Sequence, residues 1–185
     1  MFRFLRYFAI AAALALSGGG KALAAEAFST SEIVNAGHEF FGNVSEGLAT
    51  IVERAASKYG LPNGYILGEE ASGAIIGGAR YGKGTLYTKN AGQHPIFWQG
   101  PSIGVDFGGN GVRSMILVYN LPSVASLYTR FVGVAGSAYL VAGLGATVLA
   151  RNGITIVPIV SGVGVRAGLN IGYLKFTDHR TWNPF

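Results

Sequence analysis

Two periodicities divide the chain. From Ala25 to Gly60 the apolar positions recur at intervals of three and four: Ile33, Ala36, Phe40 and Phe41, then, past Gly42 and Asn43, Val44, Leu48, Ile51, Val52, Ala55 and Ala56. That spacing lines one face of a helix and predicts an amphipathic pair. Ser29 and Glu32 stand at capping-box spacing, Lys58 suits a last turn, Gly60 a C-cap and Pro62 a stop. Such a pair is expected to cover an open end or one face of a sheet. A lipid surface is the other use of an amphipathic face, but Glu46, Glu53, Arg54 and Lys58 make the polar side mixed, not strongly basic.

From Asn63 onward the period falls to two. Tyr65–Glu70 reads as a short strand, Gly73–Tyr87 as strand, bend and strand, and Ile96–Trp98 as the start of another, bent at Gly100-Pro101. Ile103, Val105 and Phe107 then share a face, and Gly108-Gly109-Asn110-Gly111 supplies a hairpin turn into Val112–Tyr119. Met115–Val118 is almost wholly apolar, as in a central strand. Asn120–Ser123 opens a short helix whose apolar spacing is Val124, Leu127, Tyr128 and Phe131. Ser137–Arg151 returns to glycine-broken strand, Asn152-Gly153 is a two-residue hairpin signal, and Ile154–Val160 is its partner. Pro158 within that partner implies an edge or a bulge. Ser161–Phe176 reads as one more bent strand, and Trp182 or Phe185 is expected to tuck against the body.

Composition gives this pattern its shape. Glycine numbers 29 of 185 residues, far above the usual share of roughly 7%. The glycines alternate with Ile, Val, Leu, Phe and Tyr, which belong on a pleated surface, and follow no triplet repeat. Glycine weakens a strand, so its repeated use points to bends, bulges and close backbone approach. About eight to ten short strands of this kind predict a mainly β fold: a small antiparallel barrel or a strongly coiled sheet, with N-terminal helices and one short mid-chain helix. An open sandwich is the alternative. A transmembrane barrel fits less well, because its strands alternate more regularly and the helices have no place in it.

The first residues read as a leader. Arg3 and Arg6 flank the short apolar run Phe8–Leu16, Ser17–Gly20 breaks it, and Ala22-Leu23-Ala24 offers small residues to a signal peptidase. The run is shorter than the roughly 20 residues of a spanning helix. The expected organisation is a cleaved signal peptide over 1–24, a helical cap over 25–62 and a glycine-rich β domain over 63–185, cap and β domain forming one globular unit in the periplasm. The formal charge of +5 falls to +2 once Arg3, Arg6 and Lys21 are removed. No run of Lys and Arg remains to track a phosphate backbone, which excludes nucleic acid as an expected partner. Cysteine is absent, so lipoprotein anchoring and disulfides are unsupported and the core must do the stabilising.

Candidate chemistry is sparse. Gly104, Asp106, Gly108 and Gly109 lack the spacing of a dinucleotide or Walker loop. Asp106 lies in an apolar strand, where an ionised group needs a partner; Arg113 across the turn is the candidate, and a ligand is the other reading. Glu69 and Glu70, adjacent on a strand, point to opposite faces and form no paired acid–base device. With Arg80 they read as a solvated rim carrying a salt bridge. Tyr81, Lys83, Tyr87 and Lys89 make an aromatic and basic patch fit for lipid phosphate or polysaccharide, with ordinary solvent-facing strand residues as the other reading, and Trp98 opens the Trp98–Tyr119 block. Asp106, Arg113, Glu69, Glu70, Arg80, Tyr81, Lys83, Tyr87 and Trp98 are therefore the candidate ligand or structural polar residues. His38, His94 and His179 lack metal-site spacing, and no serine occupies a nucleophile elbow. No catalytic, metal or cofactor residue is assigned; an envelope hydrolase stays as a remote alternative.

Several runs carry a family likeness: Gly68–Ala74, Arg80–Asn90, Trp98–Ser102, Asp106–Gly109, Leu117–Pro122, Gly136–Leu140, Ser161–Arg166, Gly172–Phe176 and Thr181–Phe185. Together they span nearly all of the chain beyond the leader, and the chain resembles the DUF1134 family of exported alphaproteobacterial proteins. The resemblance implies a periplasmic small barrel with a role linked to the cell envelope and cell division, and no assigned catalytic residues. A looser similarity, to the SYLF (Ysc84-type) domain, rests on the Trp98–Ser102 run, the alternating-glycine strand, the Leu117–Asn120 strand and the last glycine-rich region. It implies lipid binding, although this chain lacks that domain's basic amphipathic N-terminal segment. The functional expectation is non-catalytic support of envelope integrity through a lipid, an envelope polysaccharide or an envelope protein, with peripheral membrane contact as a further possibility. A scaffold without a small ligand is the alternative.

Overall fold

Eight strands close on themselves around one apolar interior. The structure is a computed structural model that describes residues 26–42, 45–73, 78–101, 112–161 and 172–183. Two helices, α1 (Thr30–Phe41) and α2 (Ser45–Tyr59), precede strands β1 (Gly64–Gly73), β2 (Ala79–Thr88), β3 (Gly92–Pro101), β4 (Val112–Tyr119), β5 (Arg130–Gly133), β6 (Tyr139–Val141), β7 (Leu144–Ala146), β8 (Leu149–Arg151), β9 (Ile154–Ser161) and β10 (Tyr173–Thr177). The order around the barrel is β4-β1-β2-β3-β10-β5-β8-β9, closed by pairing of β9 with β4. The hairpin β6–β7 hangs from the upper part of β9. Every pairing is antiparallel. The mainly β barrel with two N-terminal helices is the fold that the period-two pattern and the glycine content predict.

Alternation sorts the side chains. Ile66, Leu86, Ile96, Trp98, Ile116, Val118, Phe131, Ile156, Leu174 and Phe176 point inward and are buried. Phe131 meets Phe176 edge-on at 5.7 Å, and Trp98 lies 6.2 Å from the same ring. The indole of Trp98 fits because its neighbours across the pairing have no side chain: it stands opposite Gly82 on β2, and a Cβ on Gly82 or Gly68 would overlap the ring. Gly68 and Gly84 face each other in the register, and a Cβ on either would press on the opposing backbone. Part of the high glycine content is thus the space for one tryptophan and for the tight coiling around it.

The helices pack outside the barrel. Their buried residues Ile33, Phe41, Leu48, Ile51, Val52 and Ala55 lie with Met115, Leu117 and Tyr119 of β4, Val157 and Ile159 of β9, and Leu144 and Ala146 of β7. β4 is therefore buried on both faces, which is why its sequence runs apolar without alternation. The capping box at the start of α1 is complete: Glu32 N–H donates to Ser29 Oγ at 3.2 Å and Ser29 N–H to Glu32 Oε2 at 2.7 Å. Gly42 and Gly60 end the two helices with positive φ, 78° and 80°.

Two local readings are refined. The mid-chain helix is a single 3-10 turn, Val124–Leu127, and Phe131 belongs to β5 instead of its last turn. The interior pocket that takes the Phe131 ring overrides the helical spacing. Pro158 sits opposite Ile116 inside β9, where the outer partner changes from β8 (residues 154–156) to β7 (residues 159–161). Its carbonyl accepts from Thr147 N–H at 3.3 Å, and its missing N–H faces that same break, where no ladder donor is required. The leader, the Gly108–Gly111 turn, Asp106 and most of Ser161–Phe176 lie outside the described residues.

Candidate functional site

The pairing register carries the sequence candidates to two opposite surfaces of one wall. Along the inside runs the row Glu70, Gly82, Trp98, Phe176. Along the outside run two rows, Arg113–Glu69–Lys83–Phe97 and Ala71–Tyr81–Gln99–Lys175. Glu69 and Glu70 are separated by the sheet itself.

The inner group is buried. Glu70 and Arg80 are both buried, and Arg80 Nη1 stands 3.5 Å from Glu70 Oε2, while Arg80 Nε donates to Pro101 O at 3.0 Å. The expected solvated rim is thus corrected for this pair, because Arg80 and Glu70 lie on the inward parity of β2 and β1. Glu70 Oε1, Trp98 Nε1 and Ser114 Oγ are buried with no partner among the described residues. Trp98 itself is fully buried and packs in the core.

The outer group lines a groove. Its floor is Glu69, Ala71, Tyr81, Lys83, Phe97 and Gln99, and the C-terminal segment Arg180, Thr181 and Trp182 forms its other side, enclosing about 360 Å³. Tyr81 fixes that segment: its hydroxyl donates to Trp182 O at 2.9 Å, and the two rings meet edge-on at 5.4 Å. Trp182 is nevertheless 78% exposed. The lining continues past Lys83 and Arg180 to Phe40 at the end of α1. There Arg113 is held away from the floor, donating to Phe40 O at 2.8 Å and lying over the Phe40 ring. Tyr87, two residues beyond Thr85 on the same outer face, stacks on Tyr65 at 4.9 Å and lines neither stretch of the groove.

Two features mark this groove chemically. Gln99 is 1% exposed on its floor, and its Nε2 has no acceptor among the described residues. A buried donor without a partner is disfavoured, and native structures leave few of them. Lys83 and Arg180 form no ion pair among the described residues. Among the described residues no three of His, Asp and Glu gather as a metal set.

Residues 26–185 match the family model described as Envelope integrity protein A. The chain belongs to that family. A crystal structure of a beta-barrel-like protein from Brucella abortus is 60% identical, with a TM-score of 0.82, covering 87% of this chain and all of that one. No functionally curated protein matches the chain. The family read from the Gly68–Phe185 motifs is therefore the family found.

Reading residues in order assigns Tyr81 and Lys83 to this surface but not Phe97, Gln99, Arg180 or Trp182. Phe97 and Gln99 become visible once β3 is paired with β2, because Lys83 faces Phe97 and Tyr81 faces Gln99. The expectation that Trp182 or Phe185 tucks against the body is met by Trp182 only as a contact with Tyr81, not as burial, and no sequence signal names β2 as its partner; Phe185 lies outside the described residues.

Proposed function

We propose that this protein supports the cell envelope as an exported, non-catalytic binding module of the periplasm, and that its ligand contact is the outer groove of β1–β3. The observation that carries the reading is an outer groove that brings Lys83, Arg180 and the buried Gln99 amide, unpartnered among the described residues, to one face, beside an interior occupied by aromatic rings. Trp98, Phe131 and Phe176 occupy the space where an interior ligand would sit. The groove instead combines an apolar wall with a few converging polar groups, the usual make-up of a ligand site. The leader over 1–24 and the family's envelope role support the periplasmic placement.

Native mass spectrometry of protein purified from envelope extract tests this reading. The expected result is a co-purifying envelope component that is lost from the K83A/R180A variant. Protein that is consistently ligand-free under retaining conditions, or a component held equally well by the variant, overturns the groove as the site and leaves a scaffold role.

A further inference from the structure

We infer that the groove on β1–β3 takes an anionic saccharide, a sugar ring bearing a carboxylate or a phosphate. The inference rests on the groove being the ligand surface and adds the chemical class of its occupant.

Three observations converge. Trp182 presents a largely exposed indole at the edge of the groove, held at its carbonyl by Tyr81. A flat aromatic ring with a polar rim suits a sugar, whose C–H face is apolar and whose edge is hydroxylated. Gln99 Nε2, buried without an acceptor among the described residues, supplies the donor for one ligand oxygen; filling that bond removes the penalty of an unpaired amide.

Charge selects the substituent. Lys83 on the floor and Arg180 on the other side form no ion pair among the described residues, and Glu70, the second carboxylate of the lining, is turned inward to Arg80. An arginine fork matches a pair of oxygens of a carboxylate or phosphate. Glu69 remains as an acceptor for sugar hydroxyls. The wider molecule has the same polarity. Residues 63–185 carry nine Lys or Arg against four Asp or Glu, whereas residues 26–62 carry five Glu against Arg54 and Lys58. The helical side is acidic and the barrel basic, which draws an anion toward the barrel and away from the cap.

The two tryptophans of the chain provide the readout, since Trp98 is sealed in the core and Trp182 is exposed. The whole chain without its leader is titrated with trigalacturonic acid, glucose 6-phosphate, neutral maltotriose and phosphatidylglycerol vesicles, following Trp182 emission. The expected result is a saturable change with trigalacturonic acid or glucose 6-phosphate, weakened by salt and absent from the W182F variant. K83A and R180A should each weaken it five-fold or more, and Q99M should weaken it with no loss of thermal stability. Maltotriose binding as tightly as the acidic sugars, or vesicles alone producing the change, overturns the inference. If no acidic sugar binds while the K83A/R180A variant still sheds an envelope component, the saccharide assignment fails and the groove reading stands. If that component is unaffected too, both fail.

Discussion

Two tryptophans lie on the two sides of the same three-stranded wall and have opposite fates. Trp98, on the inward parity of β3, is 0% exposed and occupies space left open by Gly68 and Gly82. Trp182, beyond the last strand, is held over the outer face by Tyr81 and stays open to water. The first is part of what makes the barrel a packed core. The second contributes little burial and lies beside the groove. The difference sets a packed interior at Trp98 against an outer wall that carries the groove proposed as the ligand surface.

The largest expected effect tests the interior side of that contrast. Trp98→Ala should destabilise the fold by about 4 kcal/mol, within the usual range for emptying a large aromatic site, read as a shift of the urea midpoint. Gly82→Val should cost about 2 kcal/mol by overpacking the indole. A Trp98→Ala protein of unchanged stability would break the comparison.

Next comes the buried ion pair. Arg80→Ala leaves Glu70 buried without its partner and should cost about 3 kcal/mol. The double replacement Glu70→Leu with Arg80→Met should recover much of that loss, because the pair's own net contribution is small. Glu69→Ala, one residue away but on the outer face, should stay within about 0.5 kcal/mol of wild type. Equal losses at Glu69 and Glu70 would contradict the opposite parities.

A smaller effect is expected at the helix start. Ser29→Ala removes a cap and should cost about 1 kcal/mol at neutral pH. Hydrogen bonds from the Ser29 backbone N–H, then from its hydroxyl, then from Lys89 push the Glu32 carboxyl down from 4.5 to about 2. A carboxyl lowered on folding stabilises the protein above its unfolded value, and that contribution disappears as pH falls through the folded one. The gap between wild type and Ser29→Ala should therefore narrow as pH falls from about 4.5 to about 2 in acid denaturation series.

The smallest stability change belongs to Trp182→Ala, expected within about 0.5 kcal/mol. It should remove the solvent-exposed component of the tryptophan emission and leave the buried one. Loss of cooperative unfolding in this variant would mean that the C-terminal segment is part of the core.

Much of the architecture is legible in the residue order. The Ser29/Glu32 box, the change of period at Asn63, the unbroken apolar run Met115–Val118 and the Asn152-Gly153 turn each encode a local choice that the fold keeps. Phe131 is the counter-example: its helical spacing after Ser123 was overridden by the interior of β5. The candidate site was legible only in part. Tyr81 and Lys83 stand out by type, but Phe97 and Gln99 resemble any strand residues until pairing sets them opposite those two.

The sequence by itself determined the family, the helix pair and the glycine-rich strand pattern, because period, capping and turn chemistry act over a few residues. Tertiary structure alone decided barrel closure through β4 and β9, the division of Glu69 from Glu70 between outside and inside, and the meeting of Trp182 with β2. Those depend on register across strands distant in the chain, where one step of slip exchanges the two faces.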